Sequence, residues 1–354
     1  MATITKTIGT SSRDYSTITA WESDLTDGTI YSASDDAVGE CHKDSTFSEN
    51  VTLRGTSTSL NSATLTVADQ QFHTGTGGTG ATLSGYIRIT ESTSGSLTWY
   101  IKWLEVTGNA DYSGCKIYAK DSIDSTKGPL YIENLLVYNA DIYEPGLDAA
   151  AVCIGEMNGH IANCFIYDIS HTNTAGDHVH GISKSLRGIF YAYNCSIEGI
   201  KKPGGTPAGT KALGISDARY ASTAYLTAKN CIVSTLDAPT TSCYSGLKSN
   251  SGYNSSSDST ASGTGSITGQ TPSDQFVSNT TGSEDLHLSD SSGAIDSGVN
   301  LGSTANIDID NKDRNQFTIP WDMGGDEASL KLSTSKKIFT LSLDATLALW
   351  AFDD

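Results

Sequence analysis

Four short segments repeat one pattern of apolar and polar positions: Ile132-Glu-Asn-Leu-Leu-Val137, Ile161-Ala-Asn-Cys-Phe-Ile166, Ala192-Tyr-Asn-Cys-Ser-Ile197 and Ala228-Lys-Asn-Cys-Ile-Val233. Asn stands at 134, 163, 194 and 230, at spacings of 29, 31 and 36. Ile101-Lys-Trp-Leu-Glu-Val106 fits the frame one step earlier, with Trp103 at the Asn position. One residue after the Asn come Leu104, Leu135, Cys164, Cys195 and Cys231; three after it come Val106, Val137, Ile166, Ile197 and Val233. Alternate residues of a strand share a face, so the two columns point the same way and form an internal stack. A second strand, marked by Ile154, Gly181-Ile182, Gly214-Ile215 and Gly246-Leu247, repeats between them.

A repeat near 31 residues built from short strands and Asn- or Gly-rich turns predicts a solenoid. A propeller blade needs four antiparallel strands in about 40–45 residues, which is longer than this period. The expected fold is all-β: a single right-handed parallel β-helix with a short N-terminal capping helix and a C-terminal β tail. About nine coils are expected between residues 30 and 300. The apolar parity breaks at each Asn, which predicts a bend there, since Asn tolerates the left-handed conformation. Stacked Asn side chains are also expected to hydrogen-bond from coil to coil. Ser16 is placed as the cap of a helix whose Ile18, Trp21 and Leu25 plug the open end. Residues 250–273, rich in Ser, Thr and Gly, read as an irregular coil or long loop, and 203–209 as an excursion on the longest rung.

The Asn-Cys-x-Ile/Val rung resembles that of the right-handed parallel β-helix proteins of the pectin-lyase-like superfamily. The stretch from Ile8 to Glu22 is similar to the opening segment of such proteins from phages and environmental genomes. Ala294-Ile-Asp-Ser-Gly298, Asp308-Ile-Asp-Asn-Lys-Asp-Arg314 and Asp322-Met-Gly-Gly-Asp-Glu327 resemble their closing segment. The resemblance covers roughly residues 2–328 and speaks for fold, since unrelated functions share this architecture. The organisation it suggests is a cap over 1–29, the β-helix over 30–328 and a strand tail over 329–354. In the tail, Phe339, Leu341, Leu343, Leu347, Leu349, Trp350 and Phe352 have no place inside a closed coil. They are expected to form an interface, for a homotrimer as in phage β-helices or for a capsid protein.

Composition narrows the partners. Twenty-two Lys and Arg against 40 Asp and Glu give a net charge of −18, which repels nucleic acid and anionic membranes. The first twenty residues lack the apolar core of a secretory signal. The seven Cys are odd in number and are expected to be reduced and buried, as in a chain folded in a host cytoplasm.

Chemistry is sparse. Superfamily lyases bind Ca²⁺ with clustered carboxylates beside a basic residue, and its hydrolases use grouped Asp residues with Gly-His-Gly; neither pattern stands here. Asp177, His178 and His180 are the weak candidate polar site, with both His on one side of a strand. Asp308, Asp310 and Asp313 lack the spacing of a calcium loop, and Asp310 or Asp313 is expected to pair with Arg314. Tyr138, Tyr167 and Tyr193 are expected to face outward, where aromatic rings serve sugars or protein interfaces. No catalytic residue, metal or cofactor is assigned. The favoured expectation is a non-enzymatic structural protein of a bacteriophage virion, a capsid decoration protein or fibre, with a possible glycan partner. A tailspike-type polysaccharide lyase or hydrolase and a bacterial surface adhesin are the alternatives.

Overall fold

The computed structural model describes residues 2–25, 29–54, 60–90, 97–109, 111–119, 128–143, 148–172, 178–186, 188–203, 210–218, 225–316 and 320–328. The tail expected to form an interface, 329–354, and Asp177 lie outside the described residues.

Nearly all of the regular structure is parallel sheet. Sheet A stacks Thr3–Ile8, Asp36–Cys41, Ser62–Val67, Thr98–Lys102, Leu130–Glu133, Gly159–Ala162, Phe190–Tyr193 and Leu226–Lys229. Sheet B runs from Thr46–Phe47 through Leu136–Asp141, Phe165–Ser170 and Ser196–Lys201 to Ser255–Ser256. Sheet C holds seven strands, from Val51–Leu53 to Thr240–Ser245. From Asp36 to Ser245 the chain visits A, B and C in that order, so each circuit lies on the one before, as a β-solenoid requires. Among the described residues seven circuits are complete, fewer than the nine expected. The Ser-rich run after Ser245 adds one short strand to sheet B and then leaves it. Ser255 and Ser256 stand where earlier circuits carry Ile232 and Val233, so that run has no apolar pair with which to build another layer.

The inner columns are as the pattern predicts. Val106, Val137, Ile166, Ile197 and Val233 are partners in register across sheet B and fully buried. Leu104, Leu135, Cys164, Cys195 and Cys231 are buried beside them. All seven Cys are buried and unpaired. Gly214 packs closely on the inner column: a Cβ there would lie 2.2 Å from Val233 Cγ1.

The bend is real and left-handed. Trp103, Asn134, Asn163, Asn194 and Asn230 have φ of 63°, 56°, 52°, 47° and 56°. Trp103 holds this unfavourable conformation under a stacked Phe72, 4.4 Å between ring centroids. The expected ladder of Asn side chains is mostly replaced by something else. One link runs from coil to coil, Asn194 Nδ2 donating to Asn163 Oδ1 at 3.0 Å. The other amide contacts clamp the returning chain: Asn134 donates to the carbonyls of Ile307 and Asp308, Asn163 to those of Ala305 and Ile307, and Asn230 exchanges bonds with Val299.

That returning chain, 272–316 and 320–328, folds over the outer face of sheet B. Phe276, Leu286, Leu288, Ala294, Ile309 and Met323 bury Leu136, Tyr138, Phe165, Tyr167 and Ile232. Tyr138 and Tyr167 therefore point outward as expected, but beneath a cover rather than into water. The three closing motifs meet one another. Asp322 accepts the Asp296 N–H, and Asp308 accepts the Glu327 N–H. Arg314 pairs with Glu327 at 2.7 Å, both fully buried. This corrects the expected partner: Asp310 lies on Lys312 and His287, and Asp313 on Asn306.

At the other end, Ile18–Asp24 is the expected plug, with Ile18, Trp21 and Leu25 at zero exposure. Its cap is Thr17 rather than Ser16, accepting the Ala20 N–H at 3.1 Å. Glu49 takes the next two free N–H groups, of Ile18 and Thr19, which suits the positive end of a helix. The Trp21 ring lies against Gly39, where a Cβ would come within 2.6 Å of it. Thr3–Ile8 extends sheet A by one strand beneath this plug. Among the described residues no helix is long and apolar enough to cross a membrane.

Two outcomes follow. Titration of the denatured, unreduced protein with a thiol reagent is expected to find seven free Cys, and a count of one would mean three disulfides. Arg314→Ala leaves Glu327 buried without its charge partner and is expected to cost about 3–5 kcal/mol, read by urea denaturation.

Candidate functional site

The outward residues of sheet A stack in register as the inward ones do. Tyr100, Tyr131, His160 and Tyr191 are successive partners in one column; Lys102, Glu133, Ala162 and Tyr193 are partners in the next. Parallel strands lie about 4.8 Å apart, so the rings are drawn against one another. Centroids are 5.0 Å apart for Tyr100 and Tyr131, and 4.7 Å for Tyr131 and His160. Tyr191 and Tyr193 stack at 5.4 Å. The first two pairs are tilted by 30° and 45°, so those rings only partly shield one another.

The ladder floors a groove of ≈ 630 Å³. Pro129, Asn158, Gly159 and Ile189 line one side, and Ser303 and Thr304 of the returning chain line the other. The Asn column supports that second wall, since Asn163 and Asn194 both hold the carbonyl of Ala305.

At the centre, Glu133 receives His160 Nε2 at 2.8 Å and Lys102 Nζ at 2.8 Å. Lys102 also lies over the Tyr100 ring, 5.0 Å from its centroid. Burial works to raise the Glu133 pKa, but the His160 hydrogen bond and the Lys102 charge outweigh it and hold it at about 2. Burial raises Tyr100 and pushes Tyr193 up to about 12, so these phenols keep their protons at neutral pH. The groove thus presents tyrosine hydroxyls, an amide and a carboxylate that is ionised at neutral pH. Among the described residues that line it, Glu133 is the one carboxylate, whereas glycoside hydrolysis uses a pair.

Sequence reasoning singled out Tyr193 here and missed Tyr100, Tyr131, Glu133, His160 and Tyr191. A signal existed: residues 100, 131, 160 and 191 each stand three before a bend residue.

The other candidate, on the outer face of sheet C, is partly assembled. His178 and His180 lie close, ring centroids 6.2 Å apart. Their carboxylate neighbour is Asp148, which accepts the His178 backbone N–H and lies 3.7 Å from His180 Nε2. His180 Nδ1 is 2.5 Å from Ser216 Oγ. The Ser216–His180–Asp148 order matches that of a nucleophilic triad. Ser216 is 1% exposed and His180 wholly buried, so no substrate reaches the hydroxyl. In the returning chain, His287, Asp310 and Asp326 bring three potential ligand atoms together.

Comparison with protein-family models, with curated proteins and with solved structures finds no match to this chain.

Glu133→Gln is expected to lower stability by roughly 1–3 kcal/mol at pH 7, since the folded carboxyl sits well below its unfolded pKa. The carboxylate's contribution is present above about pH 4.5 and is lost as pH falls through about 2. Urea denaturation at pH 7, 4 and 3 is expected to find the gap between variant and wild type closing as pH drops.

Proposed function

We propose that this chain is a non-enzymatic, glycan-binding structural protein displayed on a bacteriophage virion, built as a single right-handed parallel β-helix of the pectin-lyase-like kind. The observation that carries the binding role is the tyrosine–histidine ladder of sheet A. It places one hydrogen-bonding group per strand along a groove parallel to the stack. A strand spacing of about 4.8 Å is close to the length of one pyranose in an extended chain. A linear polysaccharide laid along the axis therefore meets Tyr100, Tyr131, His160 and Tyr191 in turn. Hydroxyls, amides and one carboxylate are the groups that recognise polyols, and a net charge of −18 disfavours nucleic acid as the occupant. The lone carboxylate, held ionised, favours binding without cleavage, because a general acid needs a raised pKa. The virion assignment rests on the resemblance of the rung and of the opening and closing segments. In this reading the apolar tail, 329–354, joins three copies or docks on a capsid protein.

A panel of bacterial polysaccharides tested by calorimetry is expected to yield at least one ligand. Tyr131→Ala and His160→Ala are each expected to weaken it about tenfold, the worth of one buried polar contact. Release of reducing or unsaturated ends from that ligand would favour the depolymerase alternative and overturn the non-enzymatic reading.

A further inference from the structure

We infer that His287, Asp310 and Asp326 form a binding site for one divalent ion of the borderline class, such as Zn²⁺ or Mn²⁺. A ring nitrogen of His287 and a carboxylate oxygen from each Asp lie within 4.8 Å of one another. Bonds of about 2.0–2.2 Å to a common ion span nearly that distance. His287 Nδ1 is 2.5 Å from Asp285 Oδ1, which leaves Nε2 turned to Asp310 Oδ1 at 3.1 Å. A carboxylate behind the imidazole is the outer arrangement that orients a metal-binding His and raises its basicity. The ring is also immobilised. Phe165 meets it edge-on at 5.5 Å, and a Cβ on Gly75 would lie 2.4 Å from its Cε1.

Asp326 supplies an independent indication. It is only 4% exposed, and among the described residues one of its oxygens accepts the Leu288 N–H at 2.9 Å while the other takes no hydrogen bond. That second oxygen is therefore open to a ligand, and it lies within reach of a cation shared with His287 and Asp310. The charges agree. Asp285, Asp310 and Asp326 face Lys312, which lies on Asp310 Oδ2 at 2.8 Å; a dication bound to neutral His287 brings the group to neutrality. Asp308 stands apart, its oxygens taken by the N–H groups of Asp310, Lys312 and Glu327. One nitrogen with a few oxygens suits Zn²⁺ or Mn²⁺; Ca²⁺ prefers six to eight oxygens. The ion would tie Asp285–Leu288, the 308–312 turn and Asp326 at one point, in a returning chain with little regular structure.

Full-length protein stripped with a chelator and titrated with ZnCl₂ or MnCl₂ by calorimetry tests this. One ion per chain is expected, with a raised melting temperature and no comparable heat from Ca²⁺ or Mg²⁺. Asp326→Asn keeps the volume and an oxygen for the Leu288 N–H, so it preserves the fold, and is expected to weaken binding roughly 100-fold or more. Asp285→Asn, behind the ligands, is expected to weaken it about 10–100-fold. Absence of uptake by the folded wild type overturns the site and leaves His287 as an imidazolium between Asp285 and Asp310. Uptake unchanged in Asp326→Asn overturns it equally.

Discussion

Parallel strands laid in register repeat every side-chain position at the strand spacing. Whatever one circuit places at a point, the next places directly above it. The bend at Trp103, Asn134, Asn163, Asn194 and Asn230 keeps that register, because in the last five circuits a left-handed residue turns the chain from sheet A to sheet B at the same point. From this constraint follow the buried Ile/Val column, the stacked thiols and the outward ladder of rings. The core and the candidate groove are two faces of one repetition. A side chain that suits its position once must also suit its own neighbour above and below.

The bend residues do a second job that couples fold to site. Their amides hold the returning chain, whose Ser303 and Thr304 complete the groove. The same chain shields Phe165 and Tyr167, which would otherwise form an apolar patch on sheet B. The groove is thus built from residues about two hundred positions apart in sequence, brought together by a column of side-chain amides and a buried Arg314–Glu327 pair. This explains why a structural substitution far from the groove, at Asn163 for instance, is a change to the groove wall as well.

The inner stack was legible because chemistry and period coincide there: Asn, then Cys, then Ile or Val. The outer ladder has the same period, but its members are Tyr, Tyr, His and Tyr, and solvent-facing positions tolerate variety, so no motif announces them. The number of circuits was overestimated because the Ser-rich run after Ser245 has the length of a rung without its apolar pair. The helix cap shifted from Ser16 to Thr17, since adjacent hydroxyl residues both suit the position and backbone geometry alone separates them. Arg314 found Glu327 rather than a nearby Asp because the returning chain closes on itself, a contact with no local pattern. His178 and His180 do share a side, but the carboxylate beside them is Asp148, thirty residues from His178.

The clamp between the Asn column and the returning chain bears on the order in which the molecule assembles. Neighbouring circuits meet across about thirty residues, so each can form on the last as the chain lengthens. The bonds from Asn134 to Ile307 and Asp308 span 173 and 174 residues. Closing a loop of that length costs about 1.5 kcal/mol more in entropy than closing one circuit on the next, and such non-local contacts slow folding. Local contacts between neighbouring circuits thus have the shorter loops to close, and the cover over the aromatic residues of sheet B depends on the longer ones. The amides that seat the segment are thus also what keeps the aromatic face of sheet B from being a sticky surface.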